Sequence, residues 1–197
     1  MSTQERDSVP EYQPRIKGVA MLEVVKGLRL HKEAASGVLP EALHKYLERR
    51  VEIGEWYPEA DHFALLRAAA ELFGPPGLEA WRWMGRQRAT IDLREVFSDH
   101  LHPGDLRATM RAFERLWSLY RDSGRVEVTI AESLPYHLCL IDFAFLSADT
   151  VRLFTGYIET AFELAGLRDL RVIEPVEWTP ECAQWTIELD ESAANGL

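Results

Sequence analysis

The stretch 125–189, RVEVTIAESLPYHLCLIDFAFLSADTVRLFTGYIETAFELAGLRDLRVIEPVEWTPECAQWTIEL, decides the fold. At its N-terminal end Val126, Val128 and Ile130 alternate with polar residues. At its C-terminal end Ala183, Trp185, Ile187 and Leu189 alternate with Gln184, Thr186 and Glu188. A period of two marks strands with one buried face. Leu170, Val172, Val176 and Trp178 form a less regular run, and Thr179-Pro180-Glu181 supplies the turn into the last strand, because proline cannot extend a ladder. Residues 136–145 are apolar on both faces except for His137 and Asp142, which predicts a central strand covered on both sides. Between the two strand pairs the period changes. Val151, Phe154, Ile158, Ala161, Phe162 and Ala165 recur at helical spacing. Ser147 and Asp149 can accept the first free N–H groups, and Gly166 suits the left-handed residue that ends many helices. Two hairpins with a helix between them predict an antiparallel sheet covered by that helix.

Working back from this segment, helical patterns dominate. Residues 59–73 carry Ala60, Phe63, Ala64, Leu66, Ala70 and Phe73 on one side. The break Gly74-Pro75-Pro76-Gly77 separates them from a helix over 78–88 bearing Trp81, Trp83 and Met84. A broken helix over 89–102 leads to Pro103-Gly104-Asp105, and then Leu106, Met110, Phe113, Leu116, Trp117 and Tyr120 mark another. Residues 39–49 restart a helix with Pro40 early and Leu43, Tyr46 and Leu47 inward. A helix over 21–35 is expected to end at Ser36-Gly37, and 54–58 reads as a loop. Residues 16–22 fit either a short strand or a helix start. The fold class is therefore α+β: an N-terminal helical half packed on a C-terminal four-stranded antiparallel sheet, with one long helix inserted between the two hairpins. Residues 15–190 form one domain, with flexible tails at 1–14 and 191–197.

Composition narrows the role. With 197 residues, 47% hydrophobic and 10% aromatic, the chain can bury a substantial core. A net charge of −10 opposes nucleic-acid phosphates, so no nucleic-acid partner is expected. No apolar run approaches the ~20 residues of a membrane span. Residues 1–14 lack a signal-peptide core, which points to a cytoplasmic location. Cys139 and Cys182 are too few for a disulfide framework or a structural zinc site.

Complete catalytic motifs are absent: there is no phosphate-binding glycine loop, Gly-x-Ser-x-Gly or His-Glu-x-x-His. His100 and His102 have only Asp99 and Asp105 nearby, so a solvated loop is preferred over a metal site. His137 and Cys139 share one side of a predicted strand, but an oxyanion site and orienting carboxylate are not evident nearby. Aromatic residues carry more information. Trp56 and Tyr57 lie in the predicted loop, and Trp81 and Trp83 cannot both face one core from a single helix. One of that pair should be exposed or face a pocket or a partner. Together with Trp117, Tyr120, Tyr136, His137 and Cys139, these are the candidate ligand- or partner-binding residues. Arg82, Arg86 and Arg88 read as a solvated face paired with local acids rather than an anion site.

Lys17-Gly18, Trp56-Tyr57-Pro58, Leu116-Trp117-x-x-Tyr120-x-Asp122-x-Gly124-x-x-x-Val128, Gly156-Tyr157 and 161–166 into Val172 carry a family likeness. In them the chain resembles a small uncharacterised family abundant in myxobacteria. That family is similar to the wider group of 4-vinyl-reductase-like, haem-nitric-oxide-binding-like and vesicle-tethering folds. The resemblance implies helices on a four-stranded antiparallel sheet, a buried cavity for a small apolar ligand, and a tendency to dimerise. Metal ligands of the group's last hairpin are not carried over, since Glu177 and Gln184 stand at the matching positions with Cys182 out of phase. Residues 120–124 do not reproduce the Tyr-x-Ser-x-Arg signature of the haem-binding branch. No cofactor is therefore expected. The leading expectation is a non-enzymatic sensory or adaptor module with a small apolar-ligand cavity or a docking surface. A purely structural homodimer or complex subunit comes second, and an enzyme using His137 with Cys139 or Asp142 third.

Overall fold

In the computed structural model, which describes residues 12–96, 98–179 and 181–190, the chain begins on a short strand, β1 (Arg15–Lys17). It passes directly into α1 (Gly18–Leu30), so the sequence around residue 16 is first strand and then helix. The helix breaks at His31 and resumes as α2 (Lys32–Val38). Ser36-Gly37 is absorbed inside α2 instead of ending it. The stop comes at Leu39, because a residue preceding proline is pushed out of the helical region. A 3₁₀ turn, Glu41–Leu43, and the one-turn α3 (Lys45–Glu48) replace the longer helix expected there, although Leu43, Tyr46 and Leu47 are buried as their spacing suggests.

Residues 56–58, expected as loop, form β2 (Trp56–Pro58). The strand exists because β1 pairs with it antiparallel, Ile16 opposite Tyr57, a partner some forty residues away that local sequence does not reveal. Next come α4 (Glu59–Phe73) and α5 (Glu79–Ile91). A π-helical turn, Asp92–Val96, continues α5, and a 3₁₀ turn, Ser98–His100, completes the broken helix. Helix α6 (Leu106–Tyr120) starts with the Asp105 carboxylate accepting from the Ala108 N–H at 2.9 Å.

The C-terminal sheet has the order β3-β4-β6-β5, all antiparallel. Its strands are β3 (Arg125–Thr129), β4 (Tyr136–Ile141), β5 (Leu170–Ile173) and β6 (Cys182–Leu189). Helix α7 (Ala148–Leu164) joins the two hairpins and opens with a Ser147/Thr150 capping box. Gly166, at φ 75°, follows its end in the left-handed conformation.

Two strand expectations are corrected. β4 is central but stops at Ile141, because Asp142 adopts φ 53° and turns the chain away. Its second face, His137, Cys139 and Ile141, is only half-buried. β5 ends at Ile173, before Glu174-Pro175, where proline has no N–H for the ladder. Val176 is consequently 90% exposed and Trp178 37% exposed.

The core lies where the inner sheet face meets the helices: Leu138, Leu140, Ala183, Trp185 and Ile187 are buried against α6 and α7. Trp185 Nε1 donates to Thr155 Oγ1 at 2.8 Å, fixing α7 on β6. Helices α5 and α7 meet backbone to backbone at Gly85 and Gly156. A Cβ on Gly85 would overlap the Leu153 carbonyl, and one on Gly156 the Arg82 carbonyl. The tail expected at 1–14 lies mostly outside the described residues. Its described end is anchored, since the Tyr12 hydroxyl donates to the Asp122 carbonyl at 2.6 Å. The tail expected at 191–197, and Pro180 of the predicted turn, also lie outside them.

Candidate functional site: a cavity between helices and sheet

Between the helical half and the inner sheet face lies a cavity of about 270 Å³. Helices α1, α4, α5, α6 and α7 wall it, and Val126, Leu138, Leu140 and Trp185 of the sheet line its floor. Toward the surface it is bordered by half-buried Val24 and Trp83 and by exposed Phe73 and Gln87. Most of the lining is apolar. That volume is near the lower bound of ~300 Å³ typical of small-molecule pockets.

Of the residues singled out from sequence, Trp83, Trp117 and Tyr120 line this cavity. Trp81 points into the core at 6% exposure. Trp56 sits at the small sheet, with the Arg15 and Lys17 cations over its ring at 5.5 and 5.3 Å. The Tyr57 hydroxyl accepts from the Glu52 N–H at 2.9 Å. Tyr136 is buried under Arg107, whose Nε donates to its hydroxyl at 3.0 Å. His137 and Cys139 occupy the outer sheet face, away from the cavity. His137 Nδ1 lies 3.2 Å from Thr186 Oγ1, and Cys139 Sγ donates to Gln184 Oε1 at 3.4 Å.

Burial, with the neighbouring Cys182 thiol, pushes the Cys139 thiol up to about 11. A thiol with that pKa is a poor nucleophile at neutral pH. At pH 7.5, peptide-resolved labelling with iodoacetamide should modify Cys139 on the order of a hundredfold more slowly in the native than in the urea-unfolded protein. A native rate equal to the unfolded one would restore a reactive cysteine.

The cavity's polar groups form two clusters. In the first, Arg88 pairs with Asp92 at 2.7 Å and donates to the Ala20 carbonyl at 2.8 Å. The Tyr157 hydroxyl donates to Asp92 Oδ2 at 3.3 Å, and the Arg88 guanidinium lies 5.6 Å from the Tyr120 ring centre. Burial, then the Asp92 charge, holds the Tyr157 and Tyr120 hydroxyls protonated. Asp92 opens the π-helical turn, a local widening frequent at functional sites. Arg88 is thus not part of a solvated basic face. Arg82 and Arg86 both pair with Glu159 across the α5–α7 contact.

In the second cluster Glu59, fully buried at the first turn of α4, accepts from Arg121 Nε at 2.6 Å and from the Ser123 hydroxyl at 3.0 Å. The Arg121 guanidinium lies over Trp117 at 4.4 Å, with Phe143 and Phe154 at 5.8 and 5.7 Å. Burial raises the Glu59 pKa, and Arg121 and Ser123 offset part of that rise.

His62 lies one helical turn beyond Glu59. It is 5% exposed, lines the cavity, and its Nδ1 has no hydrogen-bond partner among the described residues. Burial, then the charges of Arg121 and Arg88, lowers its pKa well below the ordinary value, so the ring is neutral. The unfolded chain therefore binds a proton near pH 6.5 that the folded chain refuses. Stability from this group is full above that pH and is lost as pH falls below it, by up to ~1.4 kcal/mol per unit. Urea unfolding at pH 7.5, 6 and 5 should show this slope in the wild type and a shallower one in His62→Leu; equal slopes would disprove it.

These residues escaped sequence analysis, although a signal existed. Glu59, His62, Phe63 and Leu66 follow the i, i+3, i+4, i+7 spacing of one buried stripe, so two ionisable groups stand on an inward face.

No family model matches the chain, and no curated protein does. Solved structures do match. A point mutant of the T. tengcongensis H-NOX superposes with a TM-score of 0.61 at 16% identity, covering 88% of this chain and 97% of that one. A Tt H-NOX double mutant gives 0.63 at 14%, covering 88% and 94%. An oxygen complex of an oxygen-binding H-NOX domain related to soluble guanylate cyclases gives 0.59 at 14%, covering 85% and 89%. The fold is that of H-NOX domains. Haem distortion in the H-NOX family and protein-induced porphyrin distortion are the subjects of two further structures that match. The guanidiniums that line this cavity, Arg88 and Arg121, are already paired with Asp92 and Glu59, so the carboxylates of a haem would find no free cation there among the described residues. No group of three or more His, Cys, Asp or Glu among the described residues is arranged for a metal ion, and no described helix is long and apolar enough to cross a membrane.

Proposed function

We propose that this chain is a non-enzymatic, cytoplasmic sensory module that reports occupancy of its cavity by a small apolar ligand, without haem. The observation that carries this reading is the apolar cavity between helices and sheet, set in an H-NOX fold. Binding there would bridge α1, α4, α5, α6 and α7 to the sheet floor, so occupancy is coupled to how the two halves pack. An enzyme reading finds little support: His137 and Cys139 sit on the opposite sheet face, and the thiol is protonated at neutral pH. Of the tryptophans weighed for a purely structural subunit, Trp81 is buried, Trp83 borders the cavity and Trp56 is half-buried beneath Arg15 and Lys17.

The test is a thermal-shift screen of small apolar compounds, with native mass spectrometry of protein from its own host. Compounds that raise Tm in the wild type, and lose that effect in the cavity-filling variant Ala69→Phe, are expected. Haemin should give no stoichiometric complex with a shifted Soret band. If nothing raises Tm and no adduct is found, the ligand-site reading fails.

A further inference from the structure

Resting on that reading of the cavity, we propose that its ligand is a neutral, flat lipophilic molecule bearing one hydroxyl, which hydrogen-bonds the His62 imidazole. Three observations lead to this class.

The first is charge. The cationic and anionic side chains that line the cavity already have partners: Arg88 with Asp92, Arg121 with Glu59, and Glu23 with Lys26 at 2.6 Å. A carboxylate or ammonium on the ligand would be desolvated with no counter-charge to receive it, or would have to break one of these pairs. A neutral ligand faces neither penalty.

The second is the imidazole. His62 is neutral, buried, and has Nδ1 unpartnered among the described residues. In a neutral ring Nδ1 is a donor in one tautomer and an acceptor in the other. A hydroxyl donates and accepts, so it can pair with a ring nitrogen of His62 in either tautomer. Ketones and ethers only accept, which fits one tautomer alone. Of the neighbouring carboxylates, Asp92 takes Arg88 and Tyr157 at Oδ2 and lies 2.7 Å from the Arg88 guanidinium at Oδ1, while Glu59 takes Arg121 and Ser123.

The third is shape and size. Trp83, Phe113, Trp117, Phe154 and Trp185 contribute aromatic walls, which favour a ring system that can stack or meet them edge-on. A volume of about 270 Å³, near the lower bound of ~300 Å³ for small-molecule pockets, suits a small ligand. A bicyclic aromatic alcohol meets all three conditions.

Three probes of matched shape test this: 2-naphthol, naphthalene and 2-naphthoate, with affinities read by quenching of the cavity tryptophans and checked by calorimetry. The wild type should bind 2-naphthol ~3–10-fold more tightly than naphthalene, the worth of one net hydrogen bond. It should bind 2-naphthoate at least about a hundredfold more weakly than 2-naphthol. In His62→Leu, 2-naphthol should fall to the affinity of naphthalene while naphthalene itself is unchanged. ¹⁵N-histidine NMR on the wild type gives a readout independent of that variant's folding: the His62 ring-nitrogen resonances should move with 2-naphthol and stay with naphthalene. Equal wild-type affinities for 2-naphthol and naphthalene, or 2-naphthoate binding tightest, would overturn the neutral-hydroxyl assignment and leave the cavity a ligand site. Failure of all three probes to bind would instead remove the ligand-site reading beneath it.

Discussion

Arg121→Met is expected to destabilise the protein by about 3–5 kcal/mol, because it strands a buried carboxylate. Glu59 is fully buried, and its oxygens depend on Arg121 at 2.6 Å and Ser123 at 3.0 Å. With the guanidinium gone, Glu59 must stay ionised without a counter-charge or bind a proton at neutral pH. The aromatic surround adds to the loss, since the cation over Trp117 contributes ~0.5–2 kcal/mol where it is desolvated. Glu59→Gln should cost a comparable amount by stranding Arg121. The double variant Glu59→Gln/Arg121→Met should cost less than the sum of the two, because no unpaired charge remains. Urea denaturation of the four proteins closes the cycle. Strict additivity would mean that the pair does not act as a unit.

Gly156→Ala should cost about 3 kcal/mol or more, at or above the usual limit for overpacking. The added methyl would meet the Arg82 carbonyl, with the Arg82 carbonyl carbon at 2.9 Å, so no side-chain rotation relieves the clash. Gly85→Ala meets the Leu153 carbonyl and the Tyr157 backbone nitrogen, the latter at 2.9 Å, and should behave alike. Both helices wall the cavity, so any variant that folds should also respond less to ligand. Gly27→Ala in α1 is the control of opposite sign. Nothing lies within 4 Å of the position its methyl would take, and removing a mid-helix glycine stabilises by ~0.5–1 kcal/mol. Thermal and urea unfolding of the three variants should rank Gly27→Ala above wild type and the other two far below. Near-wild-type stability of Gly156→Ala would mean that α5 and α7 are not held at this spacing.

Both predictions concern residues whose role is invisible without the partner they touch, and the same division runs through the whole chain. Period-two alternation in β3 and β6, the helical stripe of α7 with its Ser147 start and Gly166 stop, and the bounds of α4 and α6 are written locally. Backbone propensity and the burial of one face act over neighbouring residues, so reading them in order recovers the α+β class, the two hairpins and the inserted helix. Non-local contacts settled the rest. Residues 56–58 are a strand because residues 15–17 lie alongside them, and β4 ends early because Asp142 takes a left-handed turn. Trp83 borders the cavity while Trp81, two residues away, is core. The cavity itself follows from how five helices fail to fill the space above the sheet, a property of packing that no single segment encodes. Glu59, Arg88 and Asp92 looked like ordinary helix residues because Arg121 and Ser123, Ala20, and Tyr157, which engage them, come from other elements. A buried charge or an unpartnered imidazole acquires meaning only when the chain that surrounds it is in place.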